Sequence, residues 1–157
     1  MVNPNMPILG NNLMIFLNPT GGSTNLKPCA FSTNATLTTS VNEIDLSNKD
    51  SARWKEAMTG DFQWSLACDT LMNLTGVTGN TLSTKELFVA YTAGLPVYVA
   101  FAIVAGSTPS WTIKTASAGA LKFTGEANIV GMDFASPLKE KATANIKLNG
   151  TGILNCV

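Results

Sequence analysis

The sequence contains no histidine. That removes the commonest general base, the usual partner of a serine or cysteine nucleophile and the commonest zinc ligand. Charge is scarce too: ten basic and ten acidic residues in 157, 13% of the chain and net zero, about half the share of an average soluble domain. The basic footprint of a protein that grips phosphates is missing, which argues against nucleic-acid binding as the main task. No apolar run reaches the ~18 residues of a membrane-spanning helix. The opening MVNPNMPILGNN lacks the basic segment and apolar core of a signal peptide, so the expectation is a soluble product of the cytosol. Cys29, Cys68 and Cys156 are odd in number and form no CxxC pair, which argues against a disulfide framework or a zinc knuckle. Cys29 and Cys68 are expected as buried thiols on strands, Cys156 as an exposed one.

Chemical motifs are equally sparse. There is no P-loop, no GxGxxG after a strand, no HExxH, no EF-hand loop and no GxSxG, so no catalytic residue, metal site or cofactor is expected. Asp45, Ser47 and Asp50 lack the spacing of a calcium loop. Asn34-Ala-Thr36 and Asn73-Leu-Thr75 fit the glycosylation pattern but follow no secretion signal.

What is present is alternation of apolar and polar residues, the period of strands with one face buried. In 61–69, Phe62, Trp64, Leu66 and Cys68 fall on a core face, with Asp61, Gln63, Ser65 and Asp69 opposite. In 142–149, Ala142, Ala144, Ile146 and Leu148 alternate with Thr143, Asn145, Lys147 and Asn149, after which Gly150 and Gly152 interrupt the order and predict a bulge. The same parity change follows Ile129, with Gly125 and Gly131 available to bend the strand. These two segments predict an extended hairpin turning at 136–139. Further strands are predicted at 13–17, 29–31, 35–41 and 97–104, the last apolar on both faces and hence central. One helix is predicted: Ser83 with Glu86 as a capping box, Leu87, Ala90 and Tyr91 as the buried stripe, Gly94 and Pro96 as the stop. Segments 18–28 and 105–110 read as surface loops. The expected fold is mainly β, a β-sandwich or partial barrel with one flanking α-helix and a long inter-strand loop, in a single domain 1–157 with residues 1–12 as an N-terminal arm.

The long loop, 45–60, is where charge gathers. Asp45, Lys49, Asp50, Arg53, Lys55 and Glu56 surround a lone Trp54, and Gly60 closes the stretch. A solvated loop with a helical turn at 52–58 explains the charges. Trp54 is the exception, because Trp and Arg carry much of the binding energy at protein interfaces while rim charges set register. Docking on another subunit is therefore expected, with Asp45, Lys49, Asp50, Ser51, Arg53, Trp54, Glu56 and Gly60 as candidate interface residues. The Thr-rich strands carry few Lys or Pro blockers, so their edges are templates for pairing with further copies.

The run Ser47-Asn-Lys-Asp-Ser-Ala-Arg-Trp54, followed by Lys55, Glu56, Gly60 and Trp64-Ser65, resembles the (S/T)-x-(K/R)-D-S-x-x-W-x-E-x-x-x-G-x-x-x-W-S run of the major tail tube proteins of long-tailed phages, in the TP901-1-like group. Phe123-Thr-Gly-Glu-Ala-Asn-Ile129 and Leu148-Asn-Gly-Thr-Gly-Ile-Leu154 resemble that family's last two strands, so the likeness spans 35–154. It implies the tail tube fold and a structural virion protein without enzymatic activity or cofactor. Six copies would form a ring, and rings would stack into the hollow tube that delivers the genome. Asp50, Ser51, Trp54, Glu56 and Gly60 then stand as interface candidates. The implied partners are other copies of the chain, tape measure, tail terminator and baseplate or tip proteins; DNA would pass through the lumen without specific binding, and no membrane is involved. The implied location is the virion tail, after synthesis in the host cytoplasm. Two other readings use the same residues: the inner tube of a contractile injection device, bacteriocin or gene transfer agent, and, in a different class, a β-sandwich module that binds carbohydrate or a cell surface with Trp111 and Tyr98 as its platform. Either Thr143, Asn145, Lys147 and Asn149 or Lys122, Thr124 and Glu126 would line a bore.

Overall fold

Among the described residues, alternating segments turn into eight strands: β1 (Leu13–Asn18), β2 (Lys27–Pro28), β3 (Ser32–Asp45), β4 (Ala57–Leu71), β5 (Val97–Ser107), β6 (Ser110–Ile113), β7 (Lys122–Ala135) and β8 (Thr143–Cys156), with helix α1 (Thr84–Ala93) between β4 and β5. The computed structural model describes residues 10–29, 32–51, 54–73, 81–107, 110–114 and 120–157. The expected arm therefore lies outside the described residues up to position 9, and Gly10–Asn12 form one 3-10 turn leading into β1. The strands make one antiparallel sheet in the order β2-β1-β5-β7-β8-β4-β3, with β6 paired to β5.

Three strands separate β1 from β4 in that order, yet Ile15 and Leu17 of β1 share one core with Trp64, Leu66 and Cys68 of β4. The sheet must therefore curl until its two halves face each other, the partial barrel that the mainly β pattern predicts. Helix α1 covers the roll with Leu87 and Ala90, both in the same core. Ser83 caps it as predicted: its Oγ accepts from the Glu86 N–H at 3.2 Å, and Glu86 Oε2 accepts from the Ser83 N–H at 2.8 Å. At the other end Gly94 takes φ 66 and donates to the Tyr91 carbonyl, a left-handed turn that favours glycine. Tyr91 departs from the predicted stripe and is exposed.

The bulges fall where parity changes. β7 carries one between Ile129 and Gly131, and the β7–β8 register shifts again between Thr124 and Glu126, opposite Gly152 at φ 77. Strand β5 is central as expected, with Val97, Val99, Ala100 and Ala102 all buried. Two predicted loops contain strands. Segment 105–110 holds the end of β5 and the first residue of β6, and 18–28 holds β2. In β2, Pro28 sits on an edge, where its missing N–H breaks no ladder. Of the strand predicted at 29–31, Cys29 makes a single parallel bridge to Leu82; the rest lies outside the described residues.

Cys29 and Cys68 are buried and Cys156 is exposed. The neighbouring Cys68 thiol and burial push the Cys29 thiol far up, so it stays protonated and unreactive at neutral pH. A maleimide reagent is accordingly expected to label one thiol per native chain, at Cys156, and the other two only in denaturant. Mass spectrometry of the labelled protein checks this.

Candidate assembly interface

Strand β4 pairs with β8 only from Ser65 to Leu71, whereas its pairing with β3 runs from Ala57 to Thr70. The stretch 57–63 is thus paired with β3 alone, a two-stranded ribbon about 23 Å long at ~3.3 Å per residue, while β8 parts from it and runs on beside β7 to Cys156. An isolated ribbon of this kind is marginal in water. This one also carries exposed apolar residues, on both of its faces. Val41 is opposite Phe62 and Ile44 is opposite Met58, and all four are exposed, Phe62 at 81%. Val41 and Phe62 continue the parity of Trp64, Leu66 and Cys68 past the end of the core, whereas the register shift between Val41 and Glu43 puts Ile44 and Met58 on the other face. The expectation that Phe62 joins the core is therefore corrected: its parity is right, but β8 parts from β4 after Ser65 and Asn149 and leaves it uncovered.

The tip is built from side-chain caps. Asp45 ends β3, and its Oδ1 accepts from the Ser47 N–H at 2.8 Å. Asn48 Oδ1 accepts from the Asp50 N–H at 2.7 Å, and Ser51 Oγ from the Asn48 N–H at 3.0 Å. Ser47 Oγ accepts from the Glu56 N–H at 3.0 Å, and the Leu46 N–H donates to the Glu56 carbonyl at 2.8 Å, closing the loop. Asn and Ser side chains that bond nearby backbone favour such turns, which places the helical turn at Lys49–Ser51, not at 52–58. The predicted loop 45–60 accordingly narrows to 46–56, because β4 already begins at Ala57.

Above this scaffold Trp54 is 84% exposed, held by its N–H, which donates to the Ser51 carbonyl at 3.0 Å. Asp45, Lys49, Asp50 and Glu56 are exposed around it. Arg53 lies outside the described residues. Two candidates have local reasons for their identity. Ser51 is buried beneath the turn. At Gly60, inside β4, a Cβ would lie 2.8 Å from the Asn42 carbonyl and 3.3 Å from Ile44 Cγ1. Beside the tip, Lys55 Nζ donates to Glu43 Oε2 at 2.6 Å.

The Ser47 side chain and then its backbone N–H hold Asp45 below the ordinary carboxylate range. The sign follows from linkage: a lowered folded pKa contributes above the unfolded value and is lost as pH falls through the folded one. The tip therefore keeps this contact at neutral pH.

The sheet edges differ. β2 is a two-residue edge ending in Lys27 and Pro28, a blunted one, whereas β3 is fourteen residues long and contains neither Lys nor Pro. A long unblocked edge can pair with another strand.

This architecture recurs in solved structures. The tail of an empty gene transfer agent (GTA) particle with C6 symmetry superposes with a TM-score of 0.72 at 15% identity, covering 96% of this chain and 99% of that one. The chain has the tail tube fold. The SPP1 tail tube gives a TM-score of 0.68 at 12% identity, over 96% of this chain and 78% of that one. In the baseplate of the anti-feeding prophage, a chain superposes with a TM-score of 0.59 at 9% identity, over 98% and 97% of the two chains. The sequence matches no protein-family model and no curated protein.

On the tail tube fold, the exposure of Val41, Ile44, Met58 and Phe62 on the ribbon is what sequence reasoning missed. The signal lay in the alternation of Phe62 with Trp64, Leu66 and Cys68, but alternation alone does not say where sheet coverage ends.

Proposed function

We infer that this chain is a structural subunit of a tail tube: six copies close a ring, rings stack, and the bore carries DNA in a virion tail. The observation that carries this reading is the β3/β4 ribbon with its uncovered apolar residues, Phe62 above all, on a tail tube fold with one open edge. A single copy leaves these residues in water; a neighbour would cover them. The open edge of β3 supports closure by strand pairing, because a contact between different surfaces repeats by rotation into a ring. The Ser47-to-Trp54 run and its ordered companions support the long-tailed, TP901-1-like group, with tape measure, terminator and baseplate or tip proteins as further partners. The likeness to the GTA tail supports a second reading, the tube of a gene transfer agent, built by the same contacts. Neither reading involves a reaction or a cofactor.

The bore is best assigned to the face of Thr143, Asn145, Lys147 and Asn149, opposite the core parity of Ala144, Ile146 and Leu148. On that face Asn145 Nδ2 donates to Asp69 and Lys147 pairs with Asp133 at 2.7 Å. Paired charge of both signs gives DNA little to hold, since grip comes from unpaired cations that release counterions. The alternative face is interrupted, because Thr124 is buried. Trp111 and Tyr98 are each half-buried and lie on β6 and β5, which gives a carbohydrate platform little support.

Sedimentation velocity over a concentration series tests the reading. The expected result is a six-subunit species and larger stacks, with an assembly threshold that rises with added salt, because exposed interface charges are screened within about 8 Å at physiological ionic strength. A monomer at every concentration contradicts the reading, and a threshold independent of salt contradicts the role of charge.

A further inference from the structure

Cys29 and Cys68 lie at the seam of the rolled sheet. Cys29 directly follows β2, the first strand in the sheet order, and Cys68 is on β4, next to the last. Far apart along the sheet, the two thiols are neighbours inside the core. Backbone fixes both positions. The Cys29 N–H donates to the Ile15 carbonyl at 3.1 Å and Cys29 bridges Leu82, while Cys68 is paired with Ala35 on one side and Ile146 on the other. Ser32 Oγ is in hydrogen-bond contact with Cys68 Sγ at 3.4 Å. Each cysteine is 1% exposed. Among the described residues no group of three or more His, Cys, Asp or Glu side chains gathers around them, so the pair is short of the ligand set of a structural zinc site. Two thiols side by side at a seam have another chemistry open to them, oxidation to a disulfide.

We propose that Cys29 and Cys68 are a latent disulfide, closed by hydrogen peroxide, that locks the two ends of the rolled sheet together. The bond forms within one chain and does not depend on assembly into a tube. The two thiols divide the roles. The neighbouring Cys29 thiol holds Cys68 below the ordinary thiol range, against burial, and the Ser32 hydroxyl adds to this, so Cys68 supplies the thiolate, the reactive form. Its sulfur takes one oxygen from hydrogen peroxide, giving a sulfenic acid and releasing hydroxide. Cys29, protonated and closed to reagents in solution, then attacks that sulfur. The S–S bond forms as the S–O bond breaks, and the departing hydroxide takes the Cys29 proton and leaves as water. The first hydroxide takes up the proton that Cys68 had lost, so two thiols are oxidised, one peroxide is reduced and two waters are formed. Peroxide is small and uncharged, which suits it to a pair that a maleimide does not reach. The bond would enclose a loop of about forty residues, and a disulfide stabilises chiefly by restricting the unfolded chain, more for a longer loop. Here it would also tie β2 to β4, which no backbone ladder joins.

The test uses Cys156→Ser, which removes the exposed thiol and leaves the buried pair. After hydrogen peroxide has acted on the native protein, maleimide labelling in denaturant is expected to fall from two thiols per chain to none. Dithiothreitol is expected to restore both, and the intact mass of the oxidised chain to be that of one chain less two hydrogens. The thermal midpoint is expected to rise by about 8–16 °C on oxidation and to return on reduction. Two labelled thiols after peroxide overturn the proposal. So does a loss of label that dithiothreitol does not restore, which marks separate thiols oxidised past the sulfenic acid. A bond that forms without raising the midpoint overturns the lock.

Discussion

Replacing Gly150 with alanine is expected to lower the thermal midpoint of the isolated subunit by about 6–12 °C. The cause is the indole of Trp64. A Cβ at Gly150 would lie 2.0 Å from Trp64 Cε2 and 2.3 Å from Nε1, and one at Gly125 would lie 2.7 Å from Cζ2. The ring is therefore pressed flat against two glycine backbones, while Nε1–H donates to the Gly152 carbonyl at 3.1 Å. One added methyl must displace the ring or move β8. Overpacking alone costs about 1–3 kcal/mol, and expelling a core aromatic costs about 3–5 kcal/mol, so a total near 3 kcal/mol is the expected scale. Gly131→Ala is the control. Its Cβ would meet only Lys147 Cδ, at 3.8 Å, and a shift below ~1 kcal/mol is expected. Differential scanning calorimetry of both variants decides the point: equal midpoints contradict the glycine cradle.

The second large effect falls on assembly, not on folding. Phe62→Asp is expected to leave the thermal midpoint within about 2 °C of the wild type, since exposed substitutions usually change stability by no more than ~0.5 kcal/mol. Yet it is expected to raise the assembly threshold more than ~30-fold. An aspartate opposite Val41 would be desolvated by any copy that covers this part of the ribbon, and a buried unpaired carboxylate is among the costlier interface defects. The contrast with Trp64, two residues further along the same face, is the core of the argument. Trp64 is covered by its own chain; Phe62 has nothing of its own chain to cover it. Sedimentation and calorimetry on the same sample separate the two effects, and a large loss of stability in Phe62→Asp shows that the ribbon is packed within the monomer.

Much of this was legible in the residues because the signals were local. The helix was marked by Ser83, Glu86 and Gly94, whose hydrogen bonds involve only near neighbours. The β7 bulge was visible because inserting one residue flips parity, and parity is written in the side chains from Ile129 to Met132. The turn at the tip was misplaced to 52–58, since its position depends on Asn48 and Ser51 bonding their own backbone, a competition that charge patterning does not reveal. β6 escaped notice because four residues form too short a pattern. The least legible feature was non-local. Whether Phe62 is covered depends on where β8 parts from β4, after Ser65 and Asn149, a matter of long-range pairing that local alternation does not record.

The most direct measurement is electron microscopy of the concentrated wild-type protein beside the Phe62→Asp variant. The account predicts hollow cylinders of uniform diameter with sixfold end views for the wild type, and dispersed particles for the variant. Dispersed, solid particles of a single subunit in the wild-type sample contradict it.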